Sequence, residues 1–106
     1  MGYTEKHKEI ISKIADLNFQ KKVWVQQKVW DEVLNFGEAV NLLDDYSFFD
    51  DIEDGNMNFD NSEFQSNVES FAKRLLDYEE ISPTQEMLND PKWLKIVELA
   101  NKIITG

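Results

Sequence analysis

Three sets of residues in this chain could carry chemistry. His7 is the only side chain whose ordinary pKa suits proton transfer near neutral pH. Adjacent carboxylates stand at Asp44-Asp45 and Asp50-Asp51, and paired acids can share acid–base work, as in glycosidases. From Asp50 to Asn61, oxygen donors recur at spacings that invite a calcium reading. With Gly55 at the sixth position of such a loop, Asp50 falls first, Asp54 fifth and Asn58 ninth. Ile52 then takes the third position and Asn61 the twelfth, where a bidentate Glu is required. Two defining ligands are missing.

Neither of the other sets makes a catalytic constellation. The chain has no Cys and no Gly-x-Ser-x-Gly turn, so a nucleophile would have to depend on His7 alone. His7 lies among Lys6, Lys8 and Glu9 and reads as a solvated surface residue. Adjacent acids at a helix end or in a loop are usually solvated too. No P-loop or Gly-x-Gly-x-x-Gly is present to cradle phosphate. A non-enzymatic protein without cofactor or metal is expected.

Charge is the stronger signal. Between Val29 and Ala72 stand twelve acids and no Lys or Arg, so all eleven basic residues lie outside. That middle carries −12, and the remainder, eleven basic against nine acidic, carries +2. A net charge of −10 disfavours nucleic acid and anionic membrane surfaces, and it favours basic partners or cations. At 106 residues and 42% apolar content the chain is one domain, 1–106, with enough apolar material for a modest core. No run approaches the roughly eighteen apolar residues needed to cross a bilayer, and no signal peptide is visible after Met1. A soluble, cytoplasmic protein is the expectation.

The elements that position these residues read as helices. Thr4 caps a first helix to about Leu17, with Ile10, Ile11, Ile14 and Leu17 on one face. Glu9 and Lys13 are spaced to pair along it. Phe19 to Trp30 is ambiguous: Val23-Trp24-Val25 favours a strand, but no second strand exists to pair with it, so a short helix or extended connection is expected. A helix from Asp31 to about Asp45 puts Val33, Phe36, Val40 and Leu43 on one face, with Gly37 permitting a close helix approach. Asp31 and Glu32 then serve as acids at a helix start.

Tyr46 to Asn61 reads as an ordered loop pinned by Tyr46, Phe48, Phe49, Ile52, Met57 and Phe59. Ser62 and Gln65 suggest a capping box for a helix to Tyr78, buried through Phe64, Val68, Phe71, Ala72, Leu75 and Leu76. Ser82-Pro83-Thr84-Gln85 opens one or two turns. Asp90-Pro91 opens the last helix, whose stripe is Trp93, Ile96, Val97, Ala100, Ile103 and Ile104. The fold class is all-α: a small single-domain bundle of four main helices plus one or two short ones. Trp93 belongs to its core, whereas Trp24 and Trp30 do not share one helix face. One of them is expected to be partly exposed, where it would suit an interface.

Three motifs carry a resemblance: Asn18-Phe19-Gln20-Lys21-Lys22-Val23-Trp24-Val25, Asn41-Leu42-Leu43-Asp44-Asp45 and Asn89-Asp90-Pro91-Lys92-Trp93. In order and spacing they resemble a family of small acidic bacterial proteins with no established activity, so the resemblance implies no catalytic residues. In size and charge the chain also looks like immunity proteins of bacterial toxin systems, including contact-dependent growth inhibition. That likeness implies a toxin inhibitor acting by protein–protein interaction on a basic partner, a cognate toxin domain such as a nuclease. The expected binding surface is Asp44, Asp45, Asp50, Asp51, Glu53 and Asp54, with Tyr46, Phe48 or Phe49 as apolar anchor. Two other readings stand beside it: a housekeeping helical domain whose charge serves solubility, and a cation-binding regulator.

Overall fold

Helix α1 (Glu5–Ile14) begins at Thr4, whose side chain accepts the His7 N–H, and buries Ile10, Ile11 and Ile14 on one face. The computed structural model describes residues 4–27, 30–55 and 61–105. The first helix stops at Ala15, short of the expected Leu17, because Asp16 caps a new turn by accepting the Phe19 N–H at 3.0 Å. That turn, α2 (Leu17–Phe19), runs directly into a π-helical segment, Gln20–Val25. The wider i→i−5 closure is seen in the Gln26 N–H donating to the Lys21 carbonyl at 3.3 Å. Gln20, Val23 and Trp24 all face inward, so the strand propensity of Val23-Trp24-Val25 yields to burial. Gln27, at φ 54, ends the segment in the left-handed region.

Helix α3 (Phe36–Asp45) starts five residues later than expected, with Asn35 accepting the Glu38 N–H at 2.9 Å. The residues before it are pinned in a non-helical path. Val33 is buried, its N–H is taken by Asp31, and its carbonyl is taken by the Trp24 indole N–H at 2.9 Å. Gly37 is not a close-approach site between helices: a Cβ there would meet only the Asn35 side chain, at 3.3 Å. The expected loop from Tyr46 contains a helix, α4 (Phe48–Glu53), because Phe48, Phe49 and Ile52 give that segment an apolar face. Met57 and Phe59, expected to pin the same loop, lie outside the described residues.

Helix α5 (Ser62–Asp77) is capped by Asn61, one residue before the expected Ser62. Its buried face is Val68, Phe71, Ala72 and Leu75. Leu76, expected there too, is 58% exposed. The short α6 (Thr84–Met87) follows Pro83, and α7 (Pro91–Thr105) starts behind Asp90, whose carboxylate accepts the Lys92 N–H at 3.3 Å. Trp93, Ile96, Val97, Leu99, Ala100 and Ile103 of α7 are buried, each large side chain contributing roughly 1.5–3 kcal/mol relative to exposure. Helix α7 packs between α5 and α1, and α1 packs in turn on α3, which carries α4. The result is an all-α domain, with no strand among the described residues. No described helix is long and apolar enough to cross a membrane.

One buried polar group binds the two ends of the chain together. The Gln20 side chain, fully buried, donates to the carbonyls of Lys13 at 3.1 Å and Ile14 at 2.7 Å. Its oxygen accepts the Trp93 indole N–H at 3.0 Å. The Ile14 carbonyl at the end of α1 is thereby satisfied from inside the core, and the Lys13 carbonyl gains a second donor beside the Asp16 N–H.

Candidate functional site

The junction of α3 and α4 positions most of the acidic stretch. Asp44 and Asp45 form the last turn of α3, and Tyr46 closes it with its N–H on the Leu42 carbonyl at 3.1 Å. Ser47, at φ 61 and ψ 23, turns the chain through the left-handed region, and its carbonyl accepts the first N–H of the next turn, from Asp51, at 2.9 Å. Helix α4 then sorts its residues by face. Phe48 is fully buried and Phe49 nearly so; Phe48 meets the rings of Phe71 at 6.2 Å and Phe49 at 5.3 Å. Asp51 is also buried. Of the nine residues expected at a binding surface, Asp44, Asp45, Tyr46, Asp50, Glu53 and Asp54 are exposed, while Phe48, Phe49 and Asp51 belong to the interior.

The exposed acids share a field. Six residues at about 1.5 Å each make α4 roughly 9 Å long, so both ends lie within about one Debye length at physiological salt. Asp44 and Asp45 sit at the C-terminus of α3, and Glu53 and Asp54 at that of α4. Acids there oppose the helix dipole and cost a few tenths of a kcal/mol each, roughly. Only Asp50, in the first turn of α4, is explained by helix stability. No Lys or Arg among the described residues pairs with any of the five.

His7, read from sequence as solvated, is fully buried. Its Nδ1 accepts the Thr4 N–H at 3.2 Å, so its Nε2 carries the proton and donates to the Tyr46 carbonyl at 2.8 Å. The ring also packs edge-on against Phe48 at 5.2 Å. Both nitrogens are committed to backbone groups, and the acidic junction is thereby fastened to α1. Nothing in the sequence marked this role: a His at the third position of a capping box beside Lys6 and Lys8 has the local signature of a surface residue.

Comparison with protein families, curated proteins and solved structures finds no match for this chain.

Asp31 and Glu32 are not acids at a helix start. They lie in the pinned segment before α3 and are neutralised from α1: Lys13 bonds Asp31 at 2.8 Å, and Lys6 bonds Glu32. Partial burial pushes the Asp31 carboxyl upward, but the Lys13 bond, the Val33 N–H and the nearby ammonium groups outweigh it and hold it below its ordinary 3.8. The bond to Glu32 holds the Lys6 ammonium above its ordinary value despite some desolvation. Lys13 also reaches Glu9, at 4.0 Å, as the spacing predicted.

Two aromatic side chains remain outside the core beside this cluster. Trp30, two residues before Glu32, is 79% exposed, whereas Trp24 is buried against Trp93 at 5.8 Å. Tyr46 is 41% exposed, with the Lys6 ammonium 5.6 Å above its ring. Of the calcium frame, Asp50 lies within α4 and Asp54 caps it, and Asn58 lies outside the described residues. Among the described residues no group of three His, Asp or Glu stands together as a metal-ligand set.

Proposed function

We propose that this chain is a non-enzymatic binding protein whose exposed acids Asp44, Asp45, Asp50, Glu53 and Asp54 engage a basic protein. The most concrete partner is a bacterial toxin domain, such as a nuclease, which it neutralises as an immunity protein. The acids face the Lys and Arg groups that the toxin uses on its own anionic substrate, so blocking is both steric and electrostatic. Tyr46 and Trp30 supply the apolar anchors, a role for which the buried Phe48 and Phe49 are unavailable.

The observation that carries the reading is the contrast within one acidic stretch. Asp31 and Glu32 have internal cation partners, while the five acids around α4 have none among the described residues and four of them oppose a helix dipole. Acids retained at a local cost, on a turn fastened by His7, are suited to an external counter-charge. The toxin-neutralising role rests on the likeness in size and charge to immunity proteins.

The test pairs the chain with a basic toxin domain encoded beside its gene. The association rate should fall at least about tenfold between roughly 50 and 500 mM salt, as expected of electrostatic steering. Reversing Asp44, Asp45, Asp50 and Asp54 to Lys should abolish both the complex and protection of cells expressing the toxin. Tyr46→Ala and Trp30→Ala should speed dissociation at an unchanged association rate. Protection that survives charge reversal, or association indifferent to salt, overturns the reading in favour of a solubility role for the charge. A saturable calcium or magnesium titration lost on the same reversal would point to a cation-binding regulator instead.

A further inference from the structure

The few cations of this acidic chain are unevenly satisfied. Lys6, Lys13, Lys95 and Lys102 are ion-paired with carboxylates. Among the described residues six cations have no such partner, Lys8, Lys21, Lys22, Lys73, Arg74 and Lys92, although the chain has 21 acids to 11 bases. Only Lys73, Arg74 and Lys92 of the six converge, on one open groove of about 470 Å³ between α5 and α7, together with Ser70, Asp77 and Tyr78 over a floor at Ile96.

Helix stability accounts for only part of this. Arg74 is in the last turn of α5, where a cation suits the dipole; Lys92 is in the first turn of α7, where it does not. Three cations against Asp77 on the lining and Asp90 behind Tyr78 leave a formal +1, and a guanidinium beside two ammonium groups suits the several anionic oxygens of a phosphomonoester better than a carboxylate. The guanidinium offers a planar fork for phosphate oxygens, and the Ser70 hydroxyl offers a neutral donor. The Tyr78 hydroxyl is already committed to Asp90 at 2.8 Å, so its ring supplies an apolar wall. The groove is far larger than a lone phosphate, and its volume falls in the range of small-molecule sites, roughly 300–1,000 Å³.

We infer that the α5–α7 groove is a binding site for a small phosphomonoester, with Lys73, Arg74 and Lys92 on the phosphate and the organic part over Tyr78 and Ile96. The site uses other helices than the acidic face, so either can fail alone.

Phenyl phosphate is the probe, titrated into the full chain at low salt and followed by backbone amide shifts. Saturable shifts confined to residues 70–78 and 92–96 are expected, with Kd below about 1 mM. Lys73→Ala/Arg74→Ala/Lys92→Ala, all exposed positions, should keep the helical circular dichroism and weaken binding at least about tenfold. Asp77→Asn should tighten it several-fold. Phenyl sulfate, a monoanion of similar shape, should bind at least several-fold more weakly. The proposal is overturned by shifts that do not saturate by about 10 mM, by unchanged affinity in the triple variant, or by sulfate and phosphate binding alike.

Discussion

Replacing Gln20 with Leu keeps the side-chain volume and removes every hydrogen bond that the amide makes. The Lys13 carbonyl retains the Asp16 N–H, at 3.3 Å. The Trp93 indole N–H and the Ile14 carbonyl lose the bonds at 3.0 Å and 2.7 Å, in a place with no exposure. Each buried orphan costs about 1–3 kcal/mol, and the more apolar Leu returns about 1–2 kcal/mol. At mid-range values the expected net destabilisation is about 2–3 kcal/mol. A domain of 106 residues has about 5–15 kcal/mol in hand, so the variant should still fold, with Tm lowered by roughly 10–25 °C. Urea unfolding followed by tryptophan fluorescence and by helical circular dichroism measures the difference. Trp93→Phe removes the indole donor, so Gln20→Leu should cost about 1–3 kcal/mol less in that background. A Gln20→Leu midpoint within about 0.5 kcal/mol of the parent refutes the reasoning, as does strict additivity of the two changes.

Two further predictions concern the acidic junction and the segment beside it. Ser47 pays the left-handed penalty at φ 61, so Ser47→Gly should stabilise the domain by roughly 0.5–1 kcal/mol in chemical unfolding; a loss of stability would show that its side chain matters more than its backbone. Asp31 is held below its ordinary 3.8, so its stabilising effect is fully present above that pH and disappears as pH falls through the lower folded-state value. Its partly exposed pair with Lys13 makes this small, on the order of 0.5–1 kcal/mol. Asp31→Asn should therefore lower the urea midpoint at pH about 7 and converge with the parent near pH 2, whereas an equal gap at both would contradict the assignment.

Much of the helical framework was legible because local signals and tertiary demands agree. The α7 stripe from Trp93 to Ile103 and the Thr4 cap of α1 have both periodicity and capping chemistry, and both appear where the pattern put them. The start of α3 was not legible. Asp31 and Val33 are held out of the helix by Lys13 and Trp24, partners 18 and 9 positions away, which no window of helical periodicity can register. The acids of the candidate site were plain in the sequence, but their accessibility was not. Phe48, Phe49 and Asp51 look equivalent to Tyr46, Asp50 and Glu53 until a helix assigns each a direction. His7 left its expected place on the surface, and the expectation that one of Trp24 and Trp30 is exposed did not say which, for the same reason: burial depends on what arrives from elsewhere in the chain.

The bond between Gln20 and Trp93 also sets a schedule for biosynthesis. Its partners are 73 positions apart, and at about 5–20 residues per second the ribosome separates them by roughly 4–15 s. Throughout that interval Ile10, Ile11, Ile14 and Trp24 lack the α7 surface that covers them in the finished domain. Helices α1 to α4 therefore leave the ribosome as an acidic segment with an uncovered apolar side, a form suited to chaperone holdases. Closure waits for the last helix.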